Sequence, residues 1–351
     1  MINAVKILSD LIQIPAFSGD EAKRMNYLEK VLSDEGIPCN KYLHNLWCTN
    51  KNFEEGKFTI LLNSHTDTVK PNKGYTRDPH KAEIIDGKLF GLGSNDAGGP
   101  LISLLSVFVE LYNEKLPFNL IFAATAEEEI SGKNGIAALW PGLAKIDLAI
   151  VGEPTKMELA VAERGLMVLD CTSIGKAGHA AREEGINAIY EALKDIKWFK
   201  THQFPKVSNV LGAVKMSVTV IEAGSQHNVV PAECKFVVDV RVPDTYSNEE
   251  LLQLIKENVL CEVSARSTRL NSSGLPEGHP LFKVAEELAI PTYGSPTTSD
   301  QSLMPCVSVK IGPGDSARSH MADEFIFVDE LEKAPARYKE ILLQLGNKLS
   351  K

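Results

Sequence analysis

Phe58-Thr-Ile-Leu-Leu-Asn-Ser-His-Thr-Asp67 is the stretch on which the fold turns. Its apolar part, Phe58–Leu62, is too short for a helix and has the unbroken hydrophobicity of a strand buried on both faces. Polarity then sets in abruptly, and His65 and Asp67 stand just beyond the strand. The pattern recurs twice. Asn119–Ala124 leads into Glu127-Glu-Glu129, and Asp147–Val151 leads into Glu153. Between the first two strands lies Gly91-Leu-Gly-Ser-Asn-Asp-Ala-Gly-Gly99, with Asp96 just ahead of a helical run through Leu101, Leu104, Leu105 and Phe108. Upstream, Val5, Leu8, Leu11 and Ile12 recur at helical spacing. Ser18-Gly-Asp-Glu21 supplies a capping-box pattern before a second helix lined by Met25, Leu28 and Leu32. Strands alternating with helices predict an α/β sandwich with a mostly parallel sheet.

The rhythm changes after about Arg164. Leu166–Ile174 is expected as a strand, Gly185–Phe199 as a helix, and Gly212–Ile221 and Cys234–Val242 as strands. Asn248–Asn258 is expected as a helix and Cys261–Leu270 as a final strand. This β-α-β-β-α-β order is the ferredoxin-like signature. Gly274-Leu-Pro-Glu-Gly-His-Pro280 is a turn-rich boundary. Alternation then resumes to a closing amphipathic helix from Glu330. The chain therefore divides into a discontinuous domain, residues 1–163 and 275–351, and an inserted domain, residues 164–274.

Its 351 residues, 44% hydrophobic and 24% charged, suit a folded protein of two domains. A net charge of −9 argues against nucleic acid as a partner, since phosphate binding needs an excess of Lys and Arg. No run approaches the roughly 18–20 apolar residues of a membrane span. The N-terminus lacks a signal-peptide pattern. The six cysteines form no CxxC pair, and free thiols in a reducing cytoplasm are the expectation.

In α/β sheets, ligands bind where strands end. Setting several acids there, beside a hydrophobic sheet, is costly unless a cation neutralises them. Singly, each signal has an ordinary reading: a loop histidine, a solvated acidic run, a glycine-rich turn. The glycine loop lacks the Lys-Ser/Thr of a P-loop, and its Asp is misplaced for a dinucleotide fingerprint. Their joint placement is what implies a metal.

Five segments occur in order: Asn63-Ser-His-Thr-Asp-Thr-Val69, Gly91–Gly99, Thr125-Ala-Glu-Glu-Glu129, Val151-Gly-Glu-Pro-Thr155 and Ser319-His-Met-Ala-Asp-Glu324. Together they resemble the M20 metallopeptidase family, and the likeness runs from about residue 5 to the C-terminal helix. The resemblance implies an α/β fold: a zinc-exopeptidase-like α/β/α catalytic domain interrupted by a ferredoxin-like α+β dimerisation domain. It also implies two Zn2+ per subunit, replaceable by Co2+ or Mn2+. Asp96 would bridge them, with His65 and Glu153 at one ion and Glu129 and His320 at the other. Glu128 would be the general base, and Asp67 would fix the tautomer of His65. The family motif usually reads Asp-Glu-Glu, whereas this chain has Glu127 in the leading place.

From the inserted domain, Gly175-Lys-Ala-Gly-His-Ala-Ala181 resembles the motif that supplies an oxyanion donor, here His179, across a homodimer interface. Asn228 and Arg241 match positions that contact the substrate carboxylate, with Arg164, Thr298 and Ser299 as further substrate contacts. The implied activity is hydrolysis of the amide bond of a small N-acyl amino acid in the cytoplasm. N-acetylornithine or an acylated citrulline of arginine biosynthesis is the expected substrate. Succinyl-diaminopimelate and dipeptides are the alternatives within the family.

Overall fold

The computed structural model describes residues 2–182 and 184–349. Contacts divide the chain into two compact units. One comprises Met1–Val161, Gly274–Tyr293 and Ser299–Lys351, and the other Ala162–Ser273 with Gly294–Thr298.

Among the described residues, the first unit is built on a nine-stranded sheet. At its centre Asn119–Thr125, Thr59–His65, Leu148–Val151 and Ser308–Lys310 lie side by side and parallel. Every residue of the first three is buried, as expected of parallel strands covered on both faces. The sheet is more mixed than the sequence predicts. Asn40–Tyr42 and Asn45–Thr49 form an antiparallel hairpin joined by only Leu43 and His44, and its inner strand runs antiparallel to Asn119–Thr125. A two-residue turn can only reverse the chain, so this edge cannot be parallel. Helices Ala4–Ile12, Ala22–Asp34, Gly99–Leu111 and Val328–Leu349 contribute to the main core. There Leu8, Leu28, Leu104, Phe108, Phe122 and Tyr338 are fully buried. The capping box expected at Ser18–Glu21 is not made. Glu21 forms no side-chain cap, and its carboxylate instead accepts from Gly19 N and from Glu127 N in a distant loop.

The second unit follows the ferredoxin-like order. Its sheet runs Lys215–Ala223, Glu233–Val242, Gly165–Ile174, Glu262–Ala265, all antiparallel. Burial alternates strictly along Gly165–Ile174, so one face carries a core of Met167, Leu169, Cys171, Phe236, Val238 and Val240. Helices Ala188–Thr201 and Asn248–Asn258 contribute Ala188, Ala192, Phe199, Leu251 and Ile255 to it. The last strand stops at Ala265, short of the expected Leu270. Beyond it the backbone is held by the buried Asn248, whose Nδ2 donates to the carbonyls of Leu270 (2.9 Å) and Thr268 (3.1 Å). No helix among the described residues is long and apolar enough to cross a membrane.

Removing the Asn248 amide takes one donor from each of these carbonyls, leaving Leu270 with Leu166 N and Thr268 with Asn271 Nδ2. Asn248→Ala should cost about 1–3 kcal/mol, read as a lower midpoint for this unit in urea unfolding. An unchanged midpoint would contradict the bracing role.

Candidate active site

His65 is the last residue of its strand and is fully buried. Its Nδ1 lies 3.0 Å from the Asp67 carbonyl and 3.4 Å from Asp67 Oδ1. A carbonyl can only accept, so Nδ1 carries a proton, and Nε2 is the nitrogen that would serve a metal ion once its own proton leaves. Nε2 points at Asp96 Oδ1 (3.3 Å), with Glu128 Oε2 at 3.9 Å and Glu153 Oε1 at 4.0 Å. The expectation that Asp67 orients this imidazole through its carboxylate is refined, because the backbone oxygen is the nearer acceptor. The strand has ended at His65, and the Asp67 carboxylate is occupied elsewhere. It accepts from Ser18 Oγ (2.7 Å) and from the amides of Glu128 (3.1 Å) and Glu129 (3.2 Å).

Asp96 presents its other oxygen, Oδ2, to His320 Nε2 at 3.7 Å. His320 Nε2 also lies 2.9 Å from Glu129 Oε2. One carboxylate thus faces two imidazoles with different oxygens. Ligand atoms of His65, Asp96 and Glu129 all fall within 4.8 Å of one another. His320 is 55% exposed at its side chain, against 1% for His65, so the cluster opens on the His320 side.

The acidic run divides by conformation. Glu127 has a left-handed backbone (φ 56°), and its carboxylate turns back to accept from Asn134 N (3.0 Å) and Asn134 Nδ2 (2.8 Å). Glu128 and Glu129 begin a short 3-10 turn, with Glu128 close to His65 and Glu129 on His320. Asp96 is set by a residue for which the sequence reading assigns no role. The buried Glu324 accepts from the amides of Gly93 (3.0 Å), Asn95 (2.8 Å) and Asp96 (2.9 Å). Gly93 is in the left-handed region (φ 77°), and a Cβ there would lie 2.5 Å from Thr68 Cγ2, so only glycine fits. The segment that carries His320 is tied down in turn. Asp323 accepts from Thr76 N, Thr76 Oγ1 and Arg77 N, and Asn72 Nδ2 donates to the His320 carbonyl.

The charges are out of balance. Burial depresses the His65 pKa, but Glu128, Asp67 and Asp96 overwhelm it and push it well above the usual histidine range. The bond to Glu129 lifts His320 to about 9. Burial, reinforced by Glu153, Asp300 and Glu129, drives Glu128 well above a normal carboxyl. Burial and the nearby Asp96 take Glu324 to about 7. Four acids gathered on two imidazoles are what a divalent cation would neutralise, displacing the bound protons. The donor set of imidazole nitrogen and carboxylate oxygen fits Zn2+, Co2+ or Mn2+.

The remaining sequence candidates have their contacts within the second unit, except Ser299. His179 pairs with Val229 in a two-stranded ladder, and Ala180 N donates to the Asn228 carbonyl. His179 and Asn228 are thereby neighbours. Arg241 makes a two-pronged ion pair with Asp239 (2.8 and 3.0 Å). The buried Arg164 guanidinium donates to the backbone carbonyls of Leu211, Ala213 and Arg241, and Thr298 Oγ1 donates to the Arg164 carbonyl. Ser299, in the first unit, caps the short turn Asp300–Leu303 by accepting from Gln301 N. Asp300, buried next in sequence, accepts from Thr125 Oγ1 (2.8 Å) and Asn63 Nδ2 (3.0 Å).

A buried histidine and half-buried acids where parallel strands end, faced by the more exposed His320 and with a carboxylate to spare beside them, suit a metal-dependent hydrolase. Residues 61–344 match the family described as Peptidase family M20/M25/M40, and the chain belongs to it. Its relatives are deacylases and peptidases, and the protein is an amidohydrolase of this family. It is 24% identical to succinyl-diaminopimelate desuccinylase 2 of a Ruegeria species, over 97% of this chain and 94% of that protein. It is 30% identical to acetylornithine deacetylase of Pectobacterium atrosepticum, over 78% of this chain and 76% of that one. The crystal structure of aminopeptidase PepT from Bacillus cereus shares the fold, with a TM-score of 0.78 at 22% identity over 97% of this chain and 98% of that chain.

Because the Asp67 carboxylate holds the amides of Glu128 and Glu129, Asp67→Ala should weaken zinc binding about 10- to 100-fold. Competition with a chromogenic chelator measures this. Wild-type affinity would remove Asp67 from the site.

Proposed function

We propose that the protein is a zinc-dependent N-acyl-amino-acid deacylase that acts on N-acetylornithine, or on an acylated citrulline, in cytoplasmic arginine biosynthesis. The observation that carries the metal-hydrolase part is Asp96, whose two oxygens face the Nε2 atoms of His65 and His320. A bridging ligand between two ions needs that disposition. His65 and Glu153 would hold one ion, Glu129 and His320 the other, and the buried charge of the acids suits two dications. When bound, the ions polarise the amide carbonyl and make a water molecule acidic enough to attack it at neutral pH.

The protein's own groups handle the proton. Glu128 is held beside the cluster by the bond from its amide to Asp67. Its carboxylate accepts the proton of the attacking water and delivers it to the departing amine nitrogen. With Nδ1 bonded to the Asp67 carbonyl and Nε2 taken by an ion, His65 would not compete for that proton. From the second unit, His179 donates to the developing oxyanion across a homodimer, and Asn228 and Arg241 receive the substrate carboxylate. Arg164, Thr298 and Ser299 support the surrounding loops. Breaking the Arg241–Asp239 pair frees a planar fork that suits a carboxylate.

A second reading has a specific observation behind it. Relatives named as desuccinylases align over 97% of the chain, which favours succinyl-diaminopimelate. The zinc-loaded protein should therefore be offered acetylornithine, acetylcitrulline, their succinyl counterparts, succinyl-diaminopimelate and a dipeptide. Free amine should appear fastest from an acetylated substrate. Faster turnover of a succinylated one replaces the proposed acyl group, and no turnover of any overturns the deacylase.

Glu128→Gln and His179→Ala should each lower kcat by about 10²–10⁴-fold with zinc still bound. Mixing the two variants under subunit exchange should restore part of the activity. Failure to complement would place His179 outside a shared site.

A further inference from the structure

The loop that carries the base and a ligand is braced from outside as well as by its own turn bonds, from Ser131 N and Gly132 N to the carbonyls of Glu128 and Glu127. Four successive amides, of Ala126, Glu127, Glu128 and Glu129, each donate to a side chain from another segment. Ala126 N reaches Asn45 Oδ1 (3.0 Å) and Glu127 N reaches Glu21 Oε1 (3.2 Å). Glu128 N and Glu129 N share the Asp67 carboxylate. Asn45 also closes the far end of the loop, because its Nδ2 donates to the Asn134 carbonyl at 2.6 Å. One buried amide group thus spans residues 126 and 134 and sets the width of the loop.

Glu21 is fully buried, which is costly for a carboxylate unless it has work to do. Its oxygens are taken by Gly19 N (2.6 Å), Glu127 N and His44 Nδ1 (2.8 Å). His44 and Asn45 belong to the turn and inner strand of the edge hairpin. Glu21 and Asn45 lie in segments that contribute none of the reacting groups, yet both end on the backbone next to Glu128.

We propose that Glu21 and Asn45 are positioning residues for the reaction. They fix the backbone of Ala126–Glu129, so that Glu127 turns away to Asn134 while Glu128 faces His65 and Glu129 faces His320. With the outer acceptors gone, the left-handed Glu127 has nothing to hold its amide, and the two following carboxylates lose their aim. A misplacement of about 1 Å is enough to cost two orders of magnitude in rate. The kinetic part of this inference rests on the deacylase reading, whereas the zinc part does not.

The test compares Glu21→Ala, Glu21→Gln, Asn45→Ala and Asn45→Asp in the zinc-loaded full chain. The alanine variants should lose about 10- to 100-fold in kcat with little change in KM, and about tenfold in zinc affinity by chelator competition. Glu21→Gln keeps an acceptor oxygen and should stay near wild type in both. Asn45→Asp keeps the acceptor for Ala126 but loses the donor for Asn134, so it should fall between. Alanine variants with wild-type kcat and zinc affinity would overturn the proposal, as would Glu21→Gln falling as far as Glu21→Ala. If an alanine variant does not fold, Asn45→Asp decides: weakened zinc binding at unchanged Tm supports positioning, and wild-type binding refutes it. If the wild type hydrolyses no substrate offered, the deacylase reading fails alone, and the zinc titrations still decide this one.

Discussion

Mutual repulsion among carboxylates is the constraint from which the rest of the catalytic unit follows. Asp96, Glu128, Glu129 and Glu153 surround two imidazoles in a partly dry site, where like charges repel far more strongly than in water. Left to themselves such groups would swing towards solvent. Asp96, Glu128 and Glu129 are held inward because the backbone that carries them is bonded to other acids. Glu324 grips the Asp96 loop by three amides, and Asp67 grips Glu128 and Glu129 by one each. These outer carboxylates are satisfied by fixed N–H dipoles and so leave the inner ones free for a cation.

The parallel strands supply the frame for this arrangement. Thr59–His65 and Asn119–Thr125 are paired in register, His65 against Thr125, so the loops that leave them start side by side. Leu148–Val151 joins on the other flank and brings the segment with Glu153 to the same edge. Covered strands cannot shift by one residue without turning apolar side chains out of the core. The packing of Leu61, Leu62, Ile121 and Phe122 therefore also sets the spacing of the site.

Much of this is legible in the sequence. The strand ends at His65, Glu129 and Glu153 stand out because an apolar run breaks off into acids, and burial of both sheet faces writes that run plainly. The strand and helix order of the inserted unit is legible for the same reason, through its period of two and its period of about four. What is not legible is support given to backbone by distant side chains. Glu21 looks like part of a helix cap and Asn45 like a turn residue, and nothing in their spacing points to residues 126 and 127. Glu324 ends the Ser319–Glu324 motif yet has no visible task until its three amide partners are near. The register of Glu127–Glu129 is open in the sequence, since three identical side chains differ only in backbone conformation. The early end of the strand at Ala265 is hidden too, because the side chain that takes over from the ladder is Asn248, in a preceding helix.

The order in which the chain is made gives the Glu324 contact a further meaning. His65, Asp96, Glu129 and Glu153 all leave the ribosome before the whole of the second unit, while His320 and Glu324 come after it. Until Glu324 arrives, the amides of Gly93, Asn95 and Asp96 lack their acceptor, and the Asp96 carboxylate has no fixed direction. Since domains generally fold as they emerge, N-terminal part first, the nascent chain carries an incomplete pocket while the second unit is made. The segment with His320 and Glu324 thus closes, like a clasp, a pocket whose other residues were made earlier.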